Sequence, residues 1–410
     1  MTEAGTITRL AVLDRGESAV RLLNAAGDLN QAGGTPAIAT VLFHREAEPQ
    51  PWYGREADDV QPIAAGDDAA SAPQVVAALT GARIDTLWLG EWSPGPRAEF
   101  IAACAQAGIA VVGPDAATVR RLADPLGLEA LGFGAALAGE APKRRVEIDI
   151  LADRRGTVWA FGDRDVTVRH GGLALLVEAP CAVDPPLLRQ MHDAARAIAR
   201  ETGYIGAGVV HFIHDGSRFA VVGVDAAASP HHATTEERTG ASIIGWRLRV
   251  QRGETLPPQP PSGEGVTVAV RVLAEKAEGG PLAGVQRVDL LKFPVGTGVR
   301  IDANRRRGDP VDAADPVLAV VTAWGPDRQV ALGRVRRALQ RTAVAIEGAA
   351  SNRTLLTRLL HDDALAQGNV DTGWLERVLA AQPSPSPDPV ALLAAAAQAY
   401  EDDRALAQAA

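Results

Sequence analysis

Short apolar runs alternate with stretches of helical spacing through the first 115 residues, and this alternation limits the fold more than any other feature. The opening unit is an apolar run at 7–13, a turn at Asp14, Arg15 and Gly16, and a helix over 17–26 with Ala19, Leu22, Leu23 and Ala26 on one face. Further strands are expected at 38–43, 86–89 and 109–112, and helices at 72–80 and 97–107. Strands separated by helices are expected to lie parallel, because a parallel pair needs a long crossover and a helix supplies it. Residues 1–115 therefore read as a Rossmann-like α/β domain.

The pattern then changes. A helix is expected at 116–122, followed by a glycine- and alanine-rich run that contains Gly127, Gly132, Gly134 and Gly139, so 116–143 reads as a short connecting segment. Strands at 145–151, 157–161, 165–170, 208–214 and 219–224 with a helix at 186–202 indicate an antiparallel α+β body. That body continues to residue 380 through strands at 265–273, 285–291, 298–301 and 316–324 and helices at 328–341 and 352–360. Residues 381–389, with four prolines and two serines, read as a stiff linker. Residues 390–410 read as an alanine-rich docking helix with Leu393, Ala397 and Tyr400 on its narrow apolar face.

Composition excludes several functions. A net charge of -9 argues against a nucleic-acid partner, which needs a dense basic face. No window approaches the ~18 to 20 apolar residues of a membrane span, and the start lacks a signal-peptide pattern, so a cytoplasmic protein is expected. Cys104 and Cys181 cannot build a disulfide framework and sit in apolar neighbourhoods. Of 41 basic residues only Lys143, Lys276 and Lys292 are lysine, which leaves three candidates for any lysine-dependent phosphate chemistry. The chain has no Walker loop, no G-x-G-x-x-G fingerprint and no nucleophile elbow.

Eight local patterns follow one another over some 360 residues. They are Leu13-Asp14-Arg15-Gly16-Glu17-Ser18-Ala19-Val20-Arg21, Val112-Gly113-Pro114, Arg145-Val146-Glu147-Ile148, Glu178-Ala179-Pro180 and Gly203-Tyr204-Ile205-Gly206-Ala207-Gly208, and later Gly298-Val299-Arg300, Trp324-Gly325-Pro326-Asp327-Arg328 and Asp371-Thr372-Gly373-Trp374-Leu375-Glu376. In this order they resemble the biotin carboxylase subunit of biotin-dependent acyl-CoA carboxylases, a family with the ATP-grasp fold. The resemblance implies a Rossmann-like N-terminal domain followed by an ATP-grasp body. It also implies a chemistry, carboxyphosphate formed from ATP and bicarbonate and then carboxylation of biotin, that depends on positioning and charge neutralisation.

The chain departs from the family where that chemistry is carried. Residues 126–143 are too few for the family's mobile glycine-rich lid, and no glycine-rich loop followed by lysine occurs. Where the family holds Mg²⁺ with two glutamates, this chain has His211 and Gly223, and the asparagine that follows the second is Asp225. In the bicarbonate pocket Ala227 replaces an arginine, Ser229 a glutamine and His231 the general-base glutamate. Arg300, matching the family's biotin-stabilising arginine, and Glu236 are retained, and both are also explained as fold-supporting ion-pair residues. The expected reading is a catalytically inactive subunit with a vestigial site at Arg300, His231 and Glu236.

A second reading places His211, Asp225, His231 and His232 around a transition metal, against a plainer one in which His231 and His232 are solvated loop residues. His211 and His214, three apart on an expected strand, would point to opposite faces. No cofactor is expected on this chain, since its only methionines, Met1 and Met191, do not flank a lysine as around the family's biotinylated residue. The resemblance implies biotin on a partner carrier protein, a carboxyltransferase β subunit as partner, and a homodimer or pairing with an active biotin carboxylase. An ATP-independent enzyme handling carboxybiotin through Arg300 and His231 is the alternative, and a residual ATP-dependent carboxylase a third.

Overall fold

The computed structural model describes residues 6–34, 36–46, 50–63, 71–90, 93–94, 96–124, 137, 142–276 and 279–381, together with Leu393, Ala396 and Tyr400. Ala381, the first residue of the expected linker at 381–389, ends a helix, and the rest of that linker, most of the tail helix and most of the segment replacing the lid lie outside these residues. The chain divides into two compact units, the first Met1–Ala141, Val146–Asp163 and Val183–Ser262, the second Pro142–Arg145, Arg164–Ala182 and Gly263–Ala410.

The first unit opens with β1 (Arg9–Leu13), α1 (Gly16–Gln31), β2 (Ala39–Arg45), β3 (Asp59–Ile63), α2 (Ala72–Gly81), β4 (Thr86–Leu89), α3 (Arg97–Gln106), β5 (Ala110–Val111) and α4 (Ala116–Ala123). The strands form a parallel sheet in the order β3-β2-β1-β4-β5. Alternate residues divide between two cores: Ala11, Leu13, Val41, Phe43, Leu87 and Leu89 enter one, Leu10, Val12, Leu42 and Trp88 the other. Burial on both faces is why these strands read as unbroken apolar runs. Strand β3 has the sequence Asp-Val-Gln-Pro-Ile and escapes that rule because it is the half-exposed edge, where a proline is tolerated.

The same unit carries a second sheet segment. The chain continues through β6 (Arg144–Ala152), β7 (Val158–His170), β8 (Leu173–Ala179, in the second unit), α5 (Pro185–Glu201), β9 (Gly206–His214), β10 (Phe219–Asp225), α6 (His232–Thr239) and α7 (Ile243–Gln251). Its strand order is β10-β9-β6-β7. The two strands expected at 157–161 and 165–170 are one, because Gly162 at φ +64° lets the chain bend without leaving the ladder. Gly206, at φ +92°, sits where a Cβ would come within 3.0 Å of Gly113 Cα. Two of the recognised patterns thus meet backbone to backbone. Tyr204, from the same pattern, lies over Gly208 and donates from its hydroxyl to Ala207 O at 2.8 Å.

The second unit is built on β8, β11 (Val266–Glu275), β12 (Gln286–Lys292), β13 (Val299–Ala303), β14 (Pro310–Val311), β15 (Val317–Gly325), α8 (Arg328–Arg341), β16 (Ala343–Ile346), β17 (Ala350–Ser351), α9 (Arg353–Leu360), α10 (Asp363–Ala366) and α11 (Trp374–Ala381). The antiparallel order is β8-β11-β15-β13, with β17 on β11 and a small sheet β14-β12-β16 beside it. Arg328, at the start of α8, makes a two-pronged pair with Glu178 of β8, 2.7 Å on each prong. It also donates to Leu365 O and Ala366 O at 2.7 Å. The patterns ending in Arg328 and beginning at Glu178 are therefore one contact.

Glu275, at the end of β11, lies opposite Ala350, and burial raises its carboxyl to about 7. Because the folded value is raised, the stability this group supplies is complete below its ordinary value of 4.5 and is lost as pH climbs through about 7. At about 1.4 kcal/mol per pH unit this amounts to about 3 kcal/mol, reduced to about 2 by residual exposure. Glu275→Gln is expected to raise stability by about 2 kcal/mol at pH 8 and by almost nothing at pH 4.5, as urea denaturation at the two pH values would record. Equal gains at both would remove burial of the carboxylate as the cause.

Candidate functional site

The residues that the family resemblance marks in the first unit come together on β9, β10 and β6 and at the start of α6. His211 of β9 pairs in register with Gly223 of β10, and the register shifts between Val221 and Gly223, a bulge that leaves Val222 half exposed. Two residues beyond Gly223, Asp225 lies on the face of His211 and takes its Nε2 at 2.8 Å. On the other side, His211 Nδ1 lies 3.6 Å from Glu147 Oε1 of β6. The imidazole is thus held between two carboxylates, Glu147 buried at 4% exposure and Asp225 facing water. A Cβ added to Gly223 would meet only His211 Cδ2, at 3.9 Å.

Glu147 continues the chain of contacts inward. Its Oε2 accepts from Ser229 Oγ at 3.0 Å, and the same hydroxyl oxygen accepts from the backbone N–H of His231 at 3.0 Å. Ser229 O accepts from His232 Nδ1 at 2.7 Å, which fixes the proton on that nitrogen and leaves Nε2 to accept from Arg21 Nη1. Arg21 is paired with Glu17 one turn earlier on α1 at 2.5 Å and lies 3.9 Å from Glu236. Glu236 Oε1 accepts from Ile243 N at 2.8 Å at the start of α7. The first of the eight patterns, Leu13 to Arg21, therefore reaches this cluster through Glu17 and Arg21.

His231 and His232 are buried, at 5% and 3% exposure, and not solvated loop residues. They open α6, which the sequence hid because His231 precedes the helix without a side-chain cap. Behind them Thr235 Oγ1 donates to Asp149 Oδ2 at 2.8 Å. His214 is buried apart from His211, accepting from Gly216 N at 3.2 Å on its Nδ1. Arg300 belongs to the second unit, where its Nε donates to Asp302 Oδ1 at 3.2 Å, two residues along the same face of β13. Among the described residues no group of three or more His, Cys, Asp or Glu side chains is arranged to hold a metal ion.

A separate polar cluster, of which the sequence patterns included Asp14, Arg15, Ser18 and Tyr204 but not Trp88 or Arg247, lies at the carboxyl ends of β1 and β4. Asp14 accepts from Ser18 Oγ at 2.6 Å, Trp88 Nε1 at 3.0 Å and Arg15 N at 2.9 Å. Burial nonetheless pushes its carboxyl above the usual range, with these hydrogen bonds and Arg247 opposing. The Arg247 guanidinium lies 4.1 Å over the Trp88 ring, donates to Val112 O at 3.1 Å, and is brought down to about 10 by burial. Burial also raises the phenol of nearby Tyr204. The signal available in the sequence was Arg247 among Ile243, Ile244, Trp246 and Leu248, together with Glu147 alternating with apolar residues along β6.

Three family models match in succession: "Biotin carboxylase, N-terminal domain" over residues 6–119, "Carbamoyl-phosphate synthase L chain, ATP binding domain" over 140–259 and "Biotin carboxylase C-terminal domain" over 269–377. The methylcrotonoyl-CoA carboxylase subunit alpha, mitochondrial, of Dictyostelium discoideum is 31% identical over 61% of this chain and 37% of its own. Biotin carboxylase 1 of Bacillus subtilis is 25% identical over 90% of this chain and 98% of its own. The chain spans about a third of the length of the methylcrotonoyl-CoA carboxylase subunits it matches. The structure of Rhizobium etli pyruvate carboxylase T882A superposes with a TM-score of 0.83 at 25% identity, covering 94% of this chain and 40% of that one. The biotin carboxylase domain of Hydrogenobacter thermophilus 2-oxoglutarate carboxylase superposes with a TM-score of 0.84 at 19% identity, covering 93% and 100%. No helix among the described residues is long and apolar enough to cross a membrane. From its first strand to α11, then, the chain is matched by the N- and C-terminal biotin carboxylase models with an ATP-binding model between them, and it belongs to the biotin carboxylase family.

Proposed function

We propose that this chain is a catalytically silent biotin carboxylase-like subunit that acts as a structural or regulatory partner within a biotin-dependent carboxylase or transcarboxylase assembly. One observation carries the reading: side chains at the family's reactive positions are committed to one another. His211 spans Glu147 and Asp225, Ser229 serves Glu147, and His232 lies between Ser229 and Arg21. An imidazole and a glycine, His211 and Gly223, do not fit Mg²⁺, which takes hard oxygen ligands. No step through the metal is therefore assigned.

The alignment with Biotin carboxylase 1 supports loss of the lid. It runs over 453 positions, while 90% of 410 residues is about 369, so about 84 positions have no counterpart in this chain. In this reading residues 116–143 stand in place of that subdomain, and biotin is carried by a partner, with a carboxyltransferase β subunit and a second biotin carboxylase-type chain as associates. Handling of carboxybiotin by Arg300 and His231 is the less favoured reading, because Arg300 is engaged by Asp302 and His231 is buried.

A positioned general base contributes ~10² to 10⁴ in rate and one electrostatic donor ~10² to 10³. With both replaced, bicarbonate-stimulated phosphate release from MgATP by the purified chain is expected at the level of buffer alone. Calorimetric titration with MgATP should show no saturable heat. Magnesium-linked uptake, or phosphate release that rises with bicarbonate, overturns the proposal.

A further inference from the structure

The second half of α8 and the loop leading into β13 enclose a cavity of about 290 Å³, lined by Pro294, Val295, Thr297, Arg334, Arg337 and Arg341 among others. No acidic residue lines it. The three arginines, at spacings of three and four, share one helix face and span about 10 Å along the axis at ~1.5 Å per residue. Arg334 is held in place: its Nη1 donates to Trp324 O at 2.6 Å, its guanidinium lies 5.7 Å from the Trp324 ring, and Gly298, at φ +66°, leaves the space it occupies. Arg337 lies back along the helix, its Nη1 3.6 Å from where a Cβ on Gly333 would be. Among the described residues the side chains of Arg337 and Arg341 have no hydrogen bond or ion pair, and both are exposed.

A basic residue in the last helical turn complements the partial negative charge of the helix end, and this accounts for Arg341. It does not account for Arg337 and Arg334, since the effect is confined to that turn. Three full positive charges also outweigh a helix end worth roughly half a negative one. An acidic chain thus presents an uncompensated cationic cavity with an apolar rim, Val295 being 98% exposed. From this we propose that the cavity is a binding site for a small organic polyphosphate, its phosphates gripped by Arg337 and Arg341 beside the fixed Arg334 and its organic part lying on Val295. The guanidinium fork matches phosphate oxygens two at a time.

Calorimetric titration of the full chain at low salt, with ADP without magnesium and with inorganic tripolyphosphate, tests this. One saturable site is expected for each. Arg337→Ala and Arg341→Ala should each weaken both ligands by roughly 10- to 100-fold. Val295→Ser should weaken ADP and leave tripolyphosphate unchanged, and melting curves should show that the variants stay folded. Equal heat from sulfate would overturn the proposal as mere ion condensation. So would ADP binding that survives Arg337→Ala/Arg341→Ala, and magnesium-linked survival would in addition count against the silent-subunit reading, so the two can fail separately.

Discussion

Gly208→Ala is expected to destabilise the first unit by about 4 kcal/mol. A Cβ there would lie 2.7 Å from Tyr204 Cζ, closer still to its hydroxyl, and 2.8 Å from Asp225 O. The backbone of β10 cannot yield without breaking its ladder with β9, so the tyrosine must move. Moving it costs ~1 to 3 kcal/mol of overpacking and strands a buried phenol that donates to Ala207 O, another ~1 to 3 kcal/mol. Against a total of ~5 to 15 kcal/mol, this is enough to lower a melting midpoint by roughly 10 °C. Gly203→Ala is the matched comparison. Unlike Gly208 it has positive φ, +64°, and nothing lies within 4 Å of its added Cβ, so only the backbone cost of ~1 to 2 kcal/mol applies. Thermal melts in which the two variants coincide would show that Tyr204 does not constrain Gly208.

The second large effect is expected at Glu147. Alanine there removes the acceptor of Ser229 Oγ and one of the two carboxylates flanking His211, and opens a small cavity at a site only 4% exposed. An orphaned buried donor costs ~1 to 3 kcal/mol and the lost methylenes ~1 kcal/mol or more, so Glu147→Ala should cost about 3 kcal/mol. Glu147→Gln, which keeps an acceptor for Ser229, should cost about 1 kcal/mol. The sign carries functional meaning. Working active sites are commonly less stable than they need be, and substitutions in them are neutral or stabilising. Urea denaturation that finds Glu147→Ala as stable as the parent, or more so, would point to a strained site and against a silent one.

Much of this molecule was legible in its residues. The β4 and α8 bounds and the end of β1 follow from short apolar runs and from Asp327 capping a helix of clear periodicity, while β1 begins two residues later than the expected 7–13. The order of the eight patterns led to the family that the comparisons support. The elements that escaped notice did so for physical reasons. Strand β3 is a polar edge, and β8, with the sequence Leu-Ala-Leu-Leu-Val-Glu-Ala, is a short apolar run that spacing alone cannot assign to strand or helix. Helix α7 is buried nearly all round, from Ile243 to Gln251, so it has no polar face to betray its period. Helix α6 was marked only by Gly240 at its end, in the left-handed conformation, and with it went the burial of His231 and His232. The reach of Arg21 from α1 to His232 joins residues 211 apart, a distance no local rule bridges.

The open space around Gly223 sets it apart from Ser229. A side chain added there would have only the edge of an imidazole 3.9 Å from its first carbon and would need no shift of the strand. Ser229 is buried with its hydroxyl against Glu147, so a longer group there would have to displace a buried carboxylate. On the silent-subunit reading proposed above, an acid is therefore added far more readily on the bulged strand, at Gly223, than a longer polar group in the loop beyond it, at Ser229, and restoring function would have to proceed in that order.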